Sequence, residues 1–245
     1  MLALLALSAF AAGLVDAIAG GGGLLSVPSL LAAGLPPQIA LATNKGQAAF
    51  GAVSSFLSFW AKDGIDRKRA PYGFVCGFLG ALAGAQVLLL VKPEPLKPIV
   101  LVLLLLAAAF VAWPRKPSHG KPHAWAMIAL FPITFTLGFY DGFFGPGTGS
   151  MLIVAFVLVF GDTMTRASGN AKVVNLASNL AALALFASRG VVLWKIALPM
   201  AAANATGAFV GARLAVKKGD RFVRVVVLVV VAALVVKIAI DLVRS

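Results

Sequence analysis

The sequence predicts an all-α polytopic membrane protein made of two inverted structural repeats, each a re-entrant or broken helix hairpin plus three long transmembrane helices. Three observations carry that expectation. The 245 residues are 61% hydrophobic and only 12% charged, about half the charge of an ordinary soluble domain, and the mean hydropathy is +0.99. Stretches such as 99–113, 190–216 and 222–240 are almost purely apolar; several approach or exceed the roughly 20 residues a helix needs to cross hydrocarbon, and none alternates as a barrel strand would. Finally, an acidic residue followed by a glycine-rich break occurs twice, as Asp16-Ala-Ile-Ala-Gly20-Gly21-Gly22-Gly23 and as Asp141-Gly-Phe-Phe-Gly145-Pro146-Gly147-Thr148-Gly149-Ser150. Glycine runs and proline break helices. Within a bilayer such a break persists only where protein or a cavity surrounds it, and its repetition in two halves points to a transport site.

Charged and Pro/Gly-marked interruptions divide the first half into segments of about 2–19, 24–34, 38–61, 70–91 and 96–113. Residues 1–12 have the apolar core of a signal peptide but no basic segment before it, so they are read as the start of the first helix. After a basic linker, 114–123, the second half repeats the order as 124–143, 149–160, 163–188, 190–216 and 220–243. The chain therefore divides into a first transmembrane repeat, 1–113, the linker, and a second repeat, 124–245. Asp16 matches Asp141, Gly20 matches Gly145, Asn44 matches Asn170 and Gly64 matches Gly190. Gly80-Ala-Leu-Ala-Gly84 matches Gly207-Ala-Phe-Val-Gly211, which puts a small-xxx-small packing pair in the third long helix of each half.

Segments 24–34 and 149–160 are half the length of a span. Each is expected to return from a glycine tip deep in the membrane, leaving three spanning helices per repeat. An odd number turns the second repeat upside down; a spanning 2–19 would give four crossings and a parallel duplication. With the linker inside, the cytoplasmic face holds Lys62, Arg67, Lys68, Arg69, Arg115, Lys116, Lys121, Arg166, Lys217, Lys218 and Arg221, and the outer face fewer cations. That distribution accounts for the formal charge of +13 without a nucleic-acid partner. Trp60, Trp113 and Trp125 sit near segment ends, as interfacial anchors do, and Arg213 is placed to snorkel toward the interface.

A polar cluster follows each hairpin: Thr43-Asn44-Lys45-Gly46-Gln47, and Ser168-Gly169-Asn170-Ala171-Lys172 with Asn175, Ser178 and Asn179. Lysines in apolar sequence face a cavity, a partner or a path. Lys45 and Lys172 either contact cargo or pair with Asp16 and Asp141, respectively, as locks on the hairpins. Each short helix starts just past its glycines, so Gly21, Gly22, Gly23, Gly147 and Gly149 offer backbone N–H groups and the positive end of a dipole, with Thr148 and Ser150 adding hydroxyls. Asp16 and Asp141 read as braces for the breaks, or as sites for a coupling proton or cation. His119 and His123 have no companion ligands, and the chain contains no GK[ST] phosphate loop. The lone Cys76 excludes an internal disulfide. No cofactor is implied.

Gly13-Leu-Val-Asp16 through Pro28, Gly34-Leu-Pro-Pro37, Ala42-Thr-Asn-Lys45, Gly138 through Gly149 and Asn170 through Asn179 together resemble the TauE/SafE family of membrane permeases. The resemblance covers nearly the whole chain. It implies a carrier in the prokaryotic inner membrane for small anions, often sulfur-containing ones such as sulfite, sulfonates, sulfoacetate or thiosulfate. Gly46 departs from the larger apolar residue expected after Asn44-Lys45 and is expected to open space beside Lys45.

The sequence thus predicts a secondary transporter, not an enzyme, for a small anion such as sulfite or an organosulfonate, working by alternating access at a midplane site. Gly21, Gly22, Gly23, Thr43, Asn44, Lys45, Gln47, Gly147, Thr148, Gly149, Ser150, Asn170, Lys172 and Asn175 would bind cargo, with Asp16 and Asp141 structural or coupling. Its partners are the bilayer, the anion and a coupling proton or cation; a homodimer is compatible. The competing readings are an anion channel of the same fold and a membrane-embedded thiol-handling enzyme using Cys76.

Overall fold

The computed structural model describes residues 1–112 and 125–244, and every helix or strand assigned among them is α-helix. In chain order these are α1 (Leu2–Ala19), α2 (Gly23–Ala32), α3 (Pro37–Trp60), α4 (Ala70–Leu90), α5 (Pro93–Ala112), α6 (Ala126–Phe143), α7 (Thr148–Phe160), α8 (Met164–Ser188) and α9 (Trp194–Arg244). Local chemistry sets the boundaries. Pro37 opens α3 at the first helical position, where its missing N–H costs nothing. The Thr163 hydroxyl caps α8 by accepting from the Arg166 N–H. Gly219, at φ 69° and ψ −164°, breaks α9 into the two arms that the sequence marked as separate segments. The linker 114–123, with Arg115, Lys116, His119, Lys121 and His123, and the neighbouring Trp113 lie outside the described residues.

Helices α1, α4, α6 and α8 are each long and apolar enough to cross a bilayer. At 18 residues, α1 and α6 are about 27 Å long, whereas α2 and α7, at 10 and 13 residues, are too short. The paired elements are therefore one nearly full-length helix, a glycine break and a short return. Leu4, Leu7, Leu79, Leu90, Leu106 and Ile128 are at least half exposed; so much outward apolar surface fits contact with lipid chains.

The helices of the two halves interlock. α1 packs chiefly on the first arm of α9, and α4 packs chiefly on α6. At the predicted small-residue pairs backbone meets backbone: Gly80 and Gly84 lie against Phe135 and Phe139, and their counterparts Gly207 and Gly211 lie against Phe10 and Leu14. Gly138 reciprocates against Gly77, as Gly13 does against Asn204. The same contact is made twice, each time between a helix of one half and a helix of the other. α3 and α8 cross at the centre in opposite directions: Thr43, near the start of α3, bonds Leu193 beyond the end of α8, while Phe59, at the end of α3, packs on Gly169 near the start of α8. Most of the α8 surface is buried, including Phe186 and Lys172.

Candidate transport site

The two glycine breaks meet. α1 ends in Gly20 at φ 76°, and the Gly20 carbonyl accepts the Ser150 N–H at 3.1 Å. The Ser150 hydroxyl donates to the Ala19 carbonyl at 2.6 Å. Gly20 lies directly on Gly149, and Gly23 lies on Pro146. Only glycine allows such an approach of two chains, so each break is completed by the other half of the molecule.

The buried ion pairs also cross between halves. Lys45 Nζ is 3.0 Å from Asp141 Oδ1, with both side chains about 95% buried. Lys172 Nζ is 2.9 Å from Asp16 Oδ2 and also donates to the Asp16 carbonyl. This corrects the pairing expected from sequence, Lys45 with Asp16 and Lys172 with Asp141. Nearness in sequence favours pairing within a half, but the interlocked helices bring each lysine to the opposite break instead. The Ser178 hydroxyl donates to Asp141, and the Gly22 N–H reaches Asp16 only at 3.4 Å. The aspartates therefore hold lysines first and brace backbone second.

Between the pairs lies a cavity of about 40 Å³, lined by Asp16, Gly22, Gly23, Asn44, Lys45, Gln47, Asp141, Gly149 and Asn175 from the expected set. Its wall also includes Gly20, Ser26, Gly145, Asn179 and Asn204. Ser26 donates to Asn44 Oδ1 at 2.6 Å, an inward hydroxyl at a helical step from Gly22 that the sequence reading passed over. Lys172 stands behind Asp16 and is fully buried.

Other expected contacts are engaged in building the walls. Thr148 Oγ1 donates to the Gly145 carbonyl, as Ser150 Oγ does to Ala19, so neither hydroxyl is directed at cargo. Gly147 packs on Ala107, and Gly21 lies in the turn whose carbonyl accepts the Leu24 N–H. Thr43 Oγ1 accepts the Leu193 N–H, and Asn170 Oδ1 accepts the Asp66 N–H. These two bonds are counterparts at the same offset that relates Lys45 to Lys172, so Asn170 corresponds to Thr43 and not to Asn44. Gly46 opens no space beside Lys45: Val192 and Ala197 pack where its side chain would be.

A second buried network, missed from sequence, joins the 61–69 loop to the start of α8. Arg69, 8% exposed, donates to Asp162 at 2.7 and 3.0 Å and to Asp66 at 2.8 Å, and its guanidinium lies 4.7 Å over the Phe160 ring. Asn170 Nδ2 donates to Asp162 at 2.8 Å, and Arg166 approaches Asp66 at 3.5 Å. The available signal was an acid placed in each of two loops rich in cations or turn residues. Burial pushes the Asp66 carboxyl up, but the hydrogen bonds and charge of Arg69, with the Lys68 N–H, outweigh it and hold the group below its ordinary value of 3.8. A depressed carboxylate stabilises the fold above its ordinary pKa, and that contribution is lost as pH falls through the folded value. Thermal unfolding in detergent is thus expected to show stability falling below about pH 4, with Asp66→Asn less stable at neutral pH and flatter in acid. Identical acid profiles would show that Asp66 does not stabilise this network.

Residues 5–238 match the family model described as Sulfite exporter TauE/SafE. The chain belongs to the TauE/SafE family. This TauE/SafE chain is 37% identical over 245 residues to the probable membrane transporter protein ORF9 of a Sinorhizobium species, covering 98% of this chain and 93% of that one. It is 36% identical to a probable membrane transporter protein of Haemophilus influenzae, over 98% and 95% of the two chains. Similarity to the probable membrane transporter protein YfcA of Escherichia coli K12 is 34%, over 98% and 90%. No solved structure matches. The protein is thus an α-helical member of a membrane transporter family whose relatives are named as transporters.

Proposed function

We propose that the chain is a multi-pass secondary carrier of the prokaryotic inner membrane that moves a small anion, such as sulfite, through the cavity between its two glycine breaks. The observation that carries this reading is the cavity itself: it lies where both breaks meet, between lysine–carboxylate pairs that each tie one half to the other. An ammonium has three donors. An oxyanion entering beside Lys45 can share or displace Asp141, while the starts of α2 and α7, at Gly23 and Gly149, present the positive ends of their dipoles. The space suits a compact oxyanion better than a tailed sulfonate, since it holds about three water-sized groups.

Two inverted repeats, 1–113 and 124–245 joined by the 114–123 linker, supply the alternating-access geometry. The antiparallel crossing of α3 and α8 and the duplicated contacts of Gly80 and Gly207 support that arrangement. Because the cross-half ion pairs include both aspartates, rocking one half against the other would exchange carboxylate for cargo at each lysine, and a proton taken up by the released carboxylate would couple the cycle. The test is counterflow in proteoliposomes. Labelled sulfite is expected to exchange saturably against unlabelled sulfite inside; unitary currents with no exchange would instead mark a channel.

A further inference from the structure

We infer that the central cavity accepts its anion in a form carrying its own hydroxyl hydrogen, a hydrogen oxyanion, in preference to the fully deprotonated ion. The inference rests on the carrier reading and deepens it. Its basis is a mismatch between the charge of the wall and its hydrogen-bonding groups. The charged groups around the cavity are Asp16 on α1, Lys45 on α3, Asp141 on α6 and, behind Asp16, Lys172 on α8. α2, α7 and α9 face it with the uncharged Ser26, Gly149 and Asn204. Two cations against two carboxylates leave the wall neutral, so a dianion would enter with a full excess of negative charge among mostly buried side chains.

The hydrogen-bonding groups point the same way. Gln47 Oε1 and Asn175 Oδ1 are buried oxygens without a hydrogen-bond partner, on residues 1% and 4% exposed that line the cavity. Gln47 Nε2 is engaged with Asn44 Oδ1 at 2.8 Å, which also takes the Ser26 hydroxyl. Turning both amides over together moves the unpaired oxygen from Gln47 to Asn44, still on the cavity wall. A buried acceptor left unpaired is unfavourable and calls for a donor. Cargo that is all acceptor, such as sulfate or doubly ionised sulfite, has none to offer. A hydrogen oxyanion presents acceptors to Lys45 and to the helix starts and a donor to an amide oxygen, at a single net charge.

Binding to the purified full chain in detergent decides it, using sulfite on either side of its second ionisation, sulfate, and methanesulfinate, in which a methyl group replaces the hydroxyl of hydrogen sulfite at the same single charge. Singly ionised sulfite is expected to bind about tenfold to a hundredfold more tightly than methanesulfinate, and its affinity should fall as the anion loses its proton. Methanesulfinate keeps its charge across that range, so its profile reports any titration of the protein itself. Gln47→Met and Asn175→Leu should narrow the gap; if either variant fails to fold, the wild-type series still decides. Methanesulfinate or sulfate binding as tightly as singly ionised sulfite would overturn the inference while leaving an anion carrier in place. Absence of binding by all of these anions would overturn the carrier reading and the inference with it.

Discussion

Lys45→Ala alone is expected to destabilise the fold by about 3–5 kcal/mol, whereas Lys45→Met combined with Asp141→Leu should recover most of that loss and still fail to move anions. Both side chains of the pair are about 95% buried, so removing one partner strands an uncompensated buried charge. Replacing both with apolar groups of similar volume removes the stranded charge, and buried pairs treated this way are often neutral in stability or better. The Ser178 hydroxyl, which donates to Asp141, retains the Asn175 carbonyl as an acceptor. Stability and transport therefore separate in the double variant, as they do not in the single one. Thermal unfolding in detergent reads the first and counterflow of labelled sulfite reads the second. A stable double variant with wild-type exchange would mean that Lys45 locks the halves together and takes no part in holding cargo.

Which residues stand inside the cavity was legible in the sequence to the extent that local rules decide it. The glycine breaks, the short return helices, the small-residue pairs and the lysine-bearing segments all follow from helix propensity, span length and the cost of charge in hydrocarbon, which act over a few neighbouring residues. Partner choice was not legible, because it depends on which half each helix packs against. The sequence gives no local reason for Lys45 to prefer Asp141 over Asp16; the interlocking of α4 with α6 and of α1 with α9 decides that. Hydroxyl direction was lost for a related reason. Thr148 and Ser150 look like donors to a ligand until a carbonyl at or across the breaks, Gly145 or Ala19, is found to take each of them. Asn170 was displaced by a one-residue error in matching the halves, small in sequence but enough to move an amide from the cavity to the Asp66–Asp162 network.

Gly20→Ala should be far more damaging than Gly34→Ala, although both glycines hold left-handed backbone, at φ 76° and 87°. A side chain in that region costs roughly 1–2 kcal/mol. At Gly34 nothing lies within 4 Å of the added methyl group, so the backbone term is the whole effect and transport should persist. At Gly20 the methyl would fall inside the contact distance of the Gly149 and Ser150 backbones. The breaks would have to separate, losing the Ser150 N–H bond to Gly20 and the Ser150 hydroxyl bond to Ala19, each contributing about 1 kcal/mol, and exposing polar backbone that nothing else in the membrane can satisfy. Asp16 sits one helical turn before Gly20, so its pair with Lys172 would be disturbed by the same movement. Matched unfolding midpoints for the two alanine variants would show that the touching breaks do not constrain the fold; a lower midpoint and lost exchange for Gly20→Ala alone would tie stability and transport to one contact between the halves.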